Sequence, residues 1–305
     1  MKYDLTKFNG VFVALNAIYD ENDNINVGEI KKLVKKYIEI GINGVYACGS
    51  TGEGFLLSTE ERKQVAKAVV EAADGKITTI IHVGAASTKE ACELARHAEE
   101  IGADAVSAVP SVYYRLSEAS IETHWKTIMN ASDLPFFIYN IPQLTGYDLS
   151  YSLLEKMIKE EKVIGIKDSA ESTYQMERFR RIAGKDFVIF NGPDEQFLAG
   201  RLMGANAGIG GTYGSMPELY LKLNSLIEEN KIEQAKALQV KINDFIQRLC
   251  SFPSLYGASK AVIKLRYGIE AGKPRLPMLP VSTDDPKLVE LVNDINKAVV
   301  EVKNS

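Results

Sequence analysis

The sequence predicts an α/β fold, a (β/α)8 TIM barrel with additional C-terminal helices. Three observations lead there. Eight short apolar runs alternate with longer segments of helical period, roughly 20–35 residues apart, a spacing that suits one strand and one helix per unit. The runs are apolar throughout, as parallel strands covered on both faces are. Polar and glycine-rich residues gather at the ends of the second to eighth runs, where the mouth of such a barrel lies. An open doubly wound sheet is the alternative, but eight units without a switch point disfavour it.

The strands are expected in order. They are GVFVAL from Gly10, GVYACGS from Gly44, ITTIIHVGA from Ile77 and DAVSAVPS from Asp104. LPFFIYNIP from Leu134, KVIGIKDS from Lys162, DFVIFNGP from Asp186 and NAGIGGTYG from Asn206 follow. Between them, the stretch from Ser58 opens with a hydroxyl cap and acidic residues in its first turn, a helix start. The stretch from Ser87 repeats the pattern and stops at Gly102. Residues 1–215 are expected to form the barrel and residues 216–305 a helical extension packed on it, the two making one structural unit. Gly272, Pro274, Pro277 and Pro280 break the extension into a loop before a last helix near 287–302.

Composition narrows the function classes. The net charge of −4 carries no basic, aromatic-interleaved surface for nucleic acid. The pairs Lys31-Lys32 and Lys35-Lys36 read as a solvated helix face. The three cysteines, Cys48, Cys92 and Cys250, form no CxxC or Cys/His spacing, which predicts neither a metal site nor a disulfide framework. The opening MKYDLTKFNG lacks the apolar core of a signal peptide, and no apolar run spans a bilayer, so a cytoplasmic protein without membrane contact is expected.

The residues at the expected mouth carry the chemistry. They are CGSTGEG (Cys48–Gly54), His82, Tyr113 with Tyr114, Tyr139 with Asn140, Lys167-Asp168-Ser169, Asn191–Glu195 and the GIGGTYG segment. Lys167 ends an otherwise buried run. Desolvation favours the neutral form of an amine, which can attack a carbonyl and form a Schiff base. The competing reading is a structural lysine paired with Asp168 or Glu195. Tyr139, on the preceding strand, is in position to carry a proton beside it. The GSTGE turn offers successive backbone N–H groups to a carboxylate or phosphate, or is simply a tight turn that needs glycine. GIGGTYG lacks the acidic partner and spacing of a dinucleotide site. Cys48 reads as a core residue, His82 as a satisfied barrel histidine, and His97 and His124 as helix residues. The metal-binding patterns HxH and HExxH are absent from the sequence, as is any Asp-rich cluster.

Taken together, GSTGE, YNIPQLTG, GIKDS and NGPDE resemble, in order and spacing, the N-acetylneuraminate lyase and dihydrodipicolinate synthase superfamily of pyruvate-dependent class I aldolases. The resemblance covers the barrel and runs into the tail. It implies that Lys167 forms the imine with a 2-keto acid and that Tyr139 shuttles the proton. It implies that Ser50 and Thr51 hold the pyruvate carboxylate, and that Tyr113 sits at a subunit contact near the site of a homotetramer. No cofactor or metal is implied beyond the covalent imine. Ser169, Gly192, Asp194, Glu195, Gly210 and Gly211 fall at substrate-binding positions, the acidic pair suited to accept hydrogen bonds from a sugar's hydroxyls.

Within the superfamily, the segment Pro142-Gln143-Leu144-Thr145 lacks the arginine that synthases use for an acidic aldehyde. The Ser50-Thr51 pair and the segment Val112–Ser117 resemble the lyase branch, which implies reversible cleavage of N-acetylneuraminate to N-acetylmannosamine and pyruvate. Pro193 and Gly211 depart from the lyase pattern, and the tail GKPRLPMLP is similar to synthase tails. Dihydrodipicolinate synthase, an aldolase for another 2-keto sugar acid, and a non-catalytic sugar-acid sensor are therefore the alternatives.

Overall fold

The computed structural model describes residues 3–304; the extreme ends of the two expected segments, residues 1–2 and 305, lie outside the described residues. Eight strands form where the apolar runs stand: β1 (Gly10–Ala14), β2 (Gly44–Ala47), β3 (Thr78–His82), β4 (Ala105–Ala108), β5 (Phe136–Asn140), β6 (Val163–Asp168), β7 (Val188–Asn191) and β8 (Ala207–Gly210). Each pairs in parallel with the next, and β8 returns to β1, closing the barrel. This is the (β/α)8 fold that the sequence predicts. The strands stop short of the runs' ends because the mouth turns begin there. After Ala47, for example, Cys48 takes φ 61°, a left-handed conformation outside the extended range that L-residues adopt in strands.

Helices α1 (Val27–Ile40), α2 (Thr59–Ala73), α3 (Thr88–Glu100), α4 (Glu118–Met129), the short α5 (Pro142–Thr145), α6 (Tyr151–Met157), α7 (Thr173–Ala183) and α8 (Phe197–Leu202) follow the strands in turn. Serines cap five of them; Ser58 makes a full capping box with Glu61 on α2. The tail forms α9 (Pro217–Glu228), α10 (Ile232–Cys250), α11 (Leu255–Tyr267) and α12 (Pro286–Lys303). Its side chains Leu219, Ile242, Val262 and Leu288 share one core with Val11 and Val13 on the outer face of β1.

A second core fills the barrel itself. Phe12, Phe137 and Phe190 point inward from β1, β5 and β7, and Phe8 joins them from the segment before β1. Their rings meet edge-on or tilted at 5.0–5.3 Å and close the barrel floor. Gly165 on β6 makes this possible, since a Cβ there would come 2.4 Å from the Phe137 ring. Two residues further along β6, above this apolar floor, stands Lys167.

Candidate active site

Lys167 on β6 pairs in register with Tyr139 on β5, so both side chains enter the barrel at the same height. The ammonium nitrogen donates to the Tyr139 hydroxyl at 2.9 Å, and both residues are buried. Lys167 joins no salt bridge among the described residues; neither Asp168 nor Glu195 pairs with it. Strand alternation explains the first. Asp168 points out of the barrel, where its Oδ1 accepts from the Asn140 side chain at 3.0 Å and the Ala170 N–H at 3.2 Å. Burial pushes this carboxyl up to about 7, with those two donors opposing the shift and Asp148 adding to it. Glu195 is exposed at the mouth.

Two further residues close the wall around the amine. The Tyr46 ring lies 4.7 Å below the Lys167 nitrogen, and the Tyr139 ring 4.0 Å. Tyr46 donates to Ser107 at 3.1 Å, and burial holds its phenol well above the usual range. His82 packs edge-on to Tyr139 at 5.8 Å. Its Nδ1–H donates to the Cys48 carbonyl at 3.1 Å, and Nε2 accepts from the Val109 N–H at 3.4 Å. Burial, then the Arg62 charge, holds the imidazole well below its usual pKa, so it stays neutral and satisfied. His97 and His124 sit in α3 and α4, as the helical pattern predicts. The position of Tyr46 was legible only as an aromatic hydroxyl near the end of a buried run.

The remaining mouth residues form a continuous rim. Thr51 abuts Gly211, where a Cβ would come 2.8 Å from Oγ1 of Thr51. At Gly210 a Cβ would come 2.3 Å from Asp194, and at Gly192 one would come 2.0 Å from Oγ of Ser169. The glycines therefore let the ends of β8, β7 and β6 close together. Ser50 and Thr51 are half-buried in the turn after β2. That turn is tight: Glu53 N–H bonds back to Ser50 at 3.0 Å, and Gly54 to Gly49 at 3.1 Å. Cys48 and Glu53 both take the left-handed conformation, at φ 61° and 53°.

Asp194 is turned mainly into the protein. Its Oδ2 accepts the N–H and hydroxyl of Thr212, both at 2.6 Å, while Oδ1 sits beside Gly210. Burial pushes its carboxyl up to about 6 against those bonds. Tyr113 stands apart from the rim. It is 92 % exposed, at φ 77°, edge-on to Tyr114 at 5.1 Å, and so lies outside the buried Lys167–Tyr139 pair of its own chain. Among the described residues, no three His, Cys, Asp or Glu side chains cluster as a metal site, and no helix is long and apolar enough to cross a membrane.

The geometry has counterparts. The model of the dihydrodipicolinate synthetase family matches residues 7–296. The N-acetylneuraminate lyase of Mediterraneibacter gnavus is 41% identical over 302 residues, covering 98% of this chain and 95% of that protein. An Escherichia coli N-acetylneuraminate lyase is 37% identical over 287 residues, covering 94% and 95%. The solved structure of a catalytic lysine mutant of Ruminococcus gnavus sialic acid aldolase superposes with a TM-score of 0.94 at 40% identity, covering 99% of each chain.

Proposed function

This chain belongs to the dihydrodipicolinate synthetase family, and from that premise we propose that it is a Schiff-base class I aldolase cleaving N-acetylneuraminate reversibly to N-acetylmannosamine and pyruvate. The observation that carries the reading is the buried amine of Lys167, bonded to the Tyr139 phenol at 2.9 Å and to no carboxylate. The relatives named as lyases or sialic acid aldolases supply the substrate.

In the cycle, the free amine of Lys167 attacks the keto carbon of the open-chain substrate. The tetrahedral adduct loses water and leaves an iminium. Ser50 and Thr51 hold the substrate carboxylate through hydroxyl and backbone N–H. Tyr139 takes the proton from the C4 hydroxyl, the C3–C4 bond breaks, and its electron pair flows into the iminium to give an enamine. The aldehyde end of N-acetylmannosamine departs. Tyr139 returns the proton to C3, and water hydrolyses the imine to release pyruvate and the amine. Ser169, Gly192, Asp194, Glu195, Gly210 and Gly211 form the rim that receives the sugar tail. Oδ1 of Asp194, not engaged by Thr212, supplies an acceptor for a hydroxyl.

Tyr113 acts across a contact between copies in a homotetramer, a reading supported by its 92% exposure in the single chain. The cycle uses the covalent imine in place of a dissociable cofactor or metal. A cytoplasmic setting is supported by three free cysteines, two of them buried.

The test is pyruvate release from N-acetylneuraminate by the purified protein, with Lys167→Ala as control. Release that vanishes in the variant supports the reading; no release from the folded wild type contradicts the substrate assignment.

A further inference from the structure

The turn that carries Ser50 and Thr51 is anchored by charges that no step of the reaction uses. Glu53, at the far end of the turn, sends its carboxylate into the protein. Oε1 meets the ammonium of Lys260 on α11 at 2.8 Å, with the two side chains 0% and 1% exposed. Oε2 accepts the backbone N–H of Arg275 at 2.7 Å. Lys260 also donates to the Lys273 carbonyl at 3.1 Å and lies 4.1 Å over the Tyr19 ring. Arg275 stacks on the same ring at 4.6 Å and pairs with Asp23 and with Glu61, in the first turn of α2. The turn is thus gripped by α11 and the loop that follows it.

A buried ion pair is a poor device for stability alone, because desolvating both charges offsets their attraction. It is a good device for fixing geometry, and this turn needs fixing. Cys48 and Glu53 hold left-handed conformations that L-residues keep only when their surroundings impose them. At Gly54 a Cβ would come 2.0 Å from the Cys48 carbonyl, so the backbone has no slack there. A shift of Glu53 carries Ser50, to which its N–H is bonded, along with it.

We infer that Glu53 and Lys260 are positioning residues for the keto-acid carboxylate: the C-terminal extension, through this pair, sets the turn that binds it. The inference rests on the proposed Schiff-base function. It is tested by trapping pyruvate on the whole protein with borohydride and measuring the trapped fraction against pyruvate concentration. In Lys260→Met the half-saturating pyruvate rises about tenfold or more while the maximal trapped fraction stays at the wild-type level. Glu53→Gln leaves a single oxygen, which serves Lys260 or the Arg275 N–H but not both, and its half-saturation rises about threefold or more. Where circular dichroism shows Lys260→Met unfolded, Glu53→Gln/Lys260→Met removes the unpaired charge and carries the same expectation. A folded Lys260→Met or double variant that saturates at the wild-type concentration overturns the inference and leaves the aldolase reading intact. Absence of trapping in the wild type overturns both.

Discussion

Lys167 and Lys260 are the same residue type at nearly the same depth, 5% and 2% exposed, and the fold surrounds them differently. Both stand against tyrosine rings, Lys167 with Tyr139 and Tyr46, Lys260 with Tyr19. Lys260 has a carboxylate at 2.8 Å and a backbone carbonyl at 3.1 Å, so its ammonium is spoken for. Lys167 has only a phenol, and faces the barrel mouth. An amine tied to a carboxylate holds structure; an amine next to a proton carrier is free to become covalent. Depth alone distinguishes neither role.

Several substitutions sharpen that contrast. The largest effect on stability is expected at Lys260. Its replacement by Met strands the Glu53 carboxylate in the core and lowers unfolding stability by about 3–5 kcal/mol, while Glu53→Leu/Lys260→Met recovers most of the loss. Denaturant unfolding of the three proteins measures both. At the other lysine, Tyr139→Phe removes the proposed proton carrier and leaves the proposed nucleophile in place. Turnover of N-acetylneuraminate falls about 10²–10³-fold, while pyruvate still traps on Lys167. Equal losses in turnover and trapping would make Tyr139 a packing residue.

The pH dependence of stability reports on Asp168, the residue that follows Lys167. The Asp168 carboxyl is raised in the fold to about 7, chiefly by burial, so its contribution to stability is present below about pH 4 and is lost as pH rises through about 7. Relative to wild type, Asp168→Asn gains on the order of 4 kcal/mol between pH 4 and pH 8. Parallel stability curves for the two proteins would show that Asp168 does not titrate in that window. The smallest change is expected at the rim. A side chain at Gly211 presses on Thr51, so Gly211→Ser raises the half-saturating pyruvate by about two- to fivefold with turnover little changed. An unchanged value would place the carboxylate away from Thr51.

The sequence made much of this legible and hid the rest for physical reasons. All eight strands were visible because fully buried parallel strands leave unbroken apolar runs. The same property hid which face of each strand looks inward, since no polar alternation marks it. The competing reading of Asp168 as a counter-ion for Lys167 was therefore open from sequence, and strand geometry closes it by turning Asp168 outward to Asn140. Tyr46 was hidden for the same reason. Lys167 and Tyr139 were readable as adjacent because consecutive strands of such a barrel are neighbours. Glu53 and Lys260 were not, because their contact joins the second strand's turn to the third helix of the tail, a pairing that local pattern does not encode. The lysine amid the apolar GASKAVI segment was the one available signal.

The most direct test of the contrast is to reduce the protein with borohydride in the presence of pyruvate and map the modified lysine by peptide mass spectrometry. The account predicts a single adduct on Lys167, with Lys260 unmodified. An adduct on Lys260, or none on Lys167 in folded protein, would contradict it.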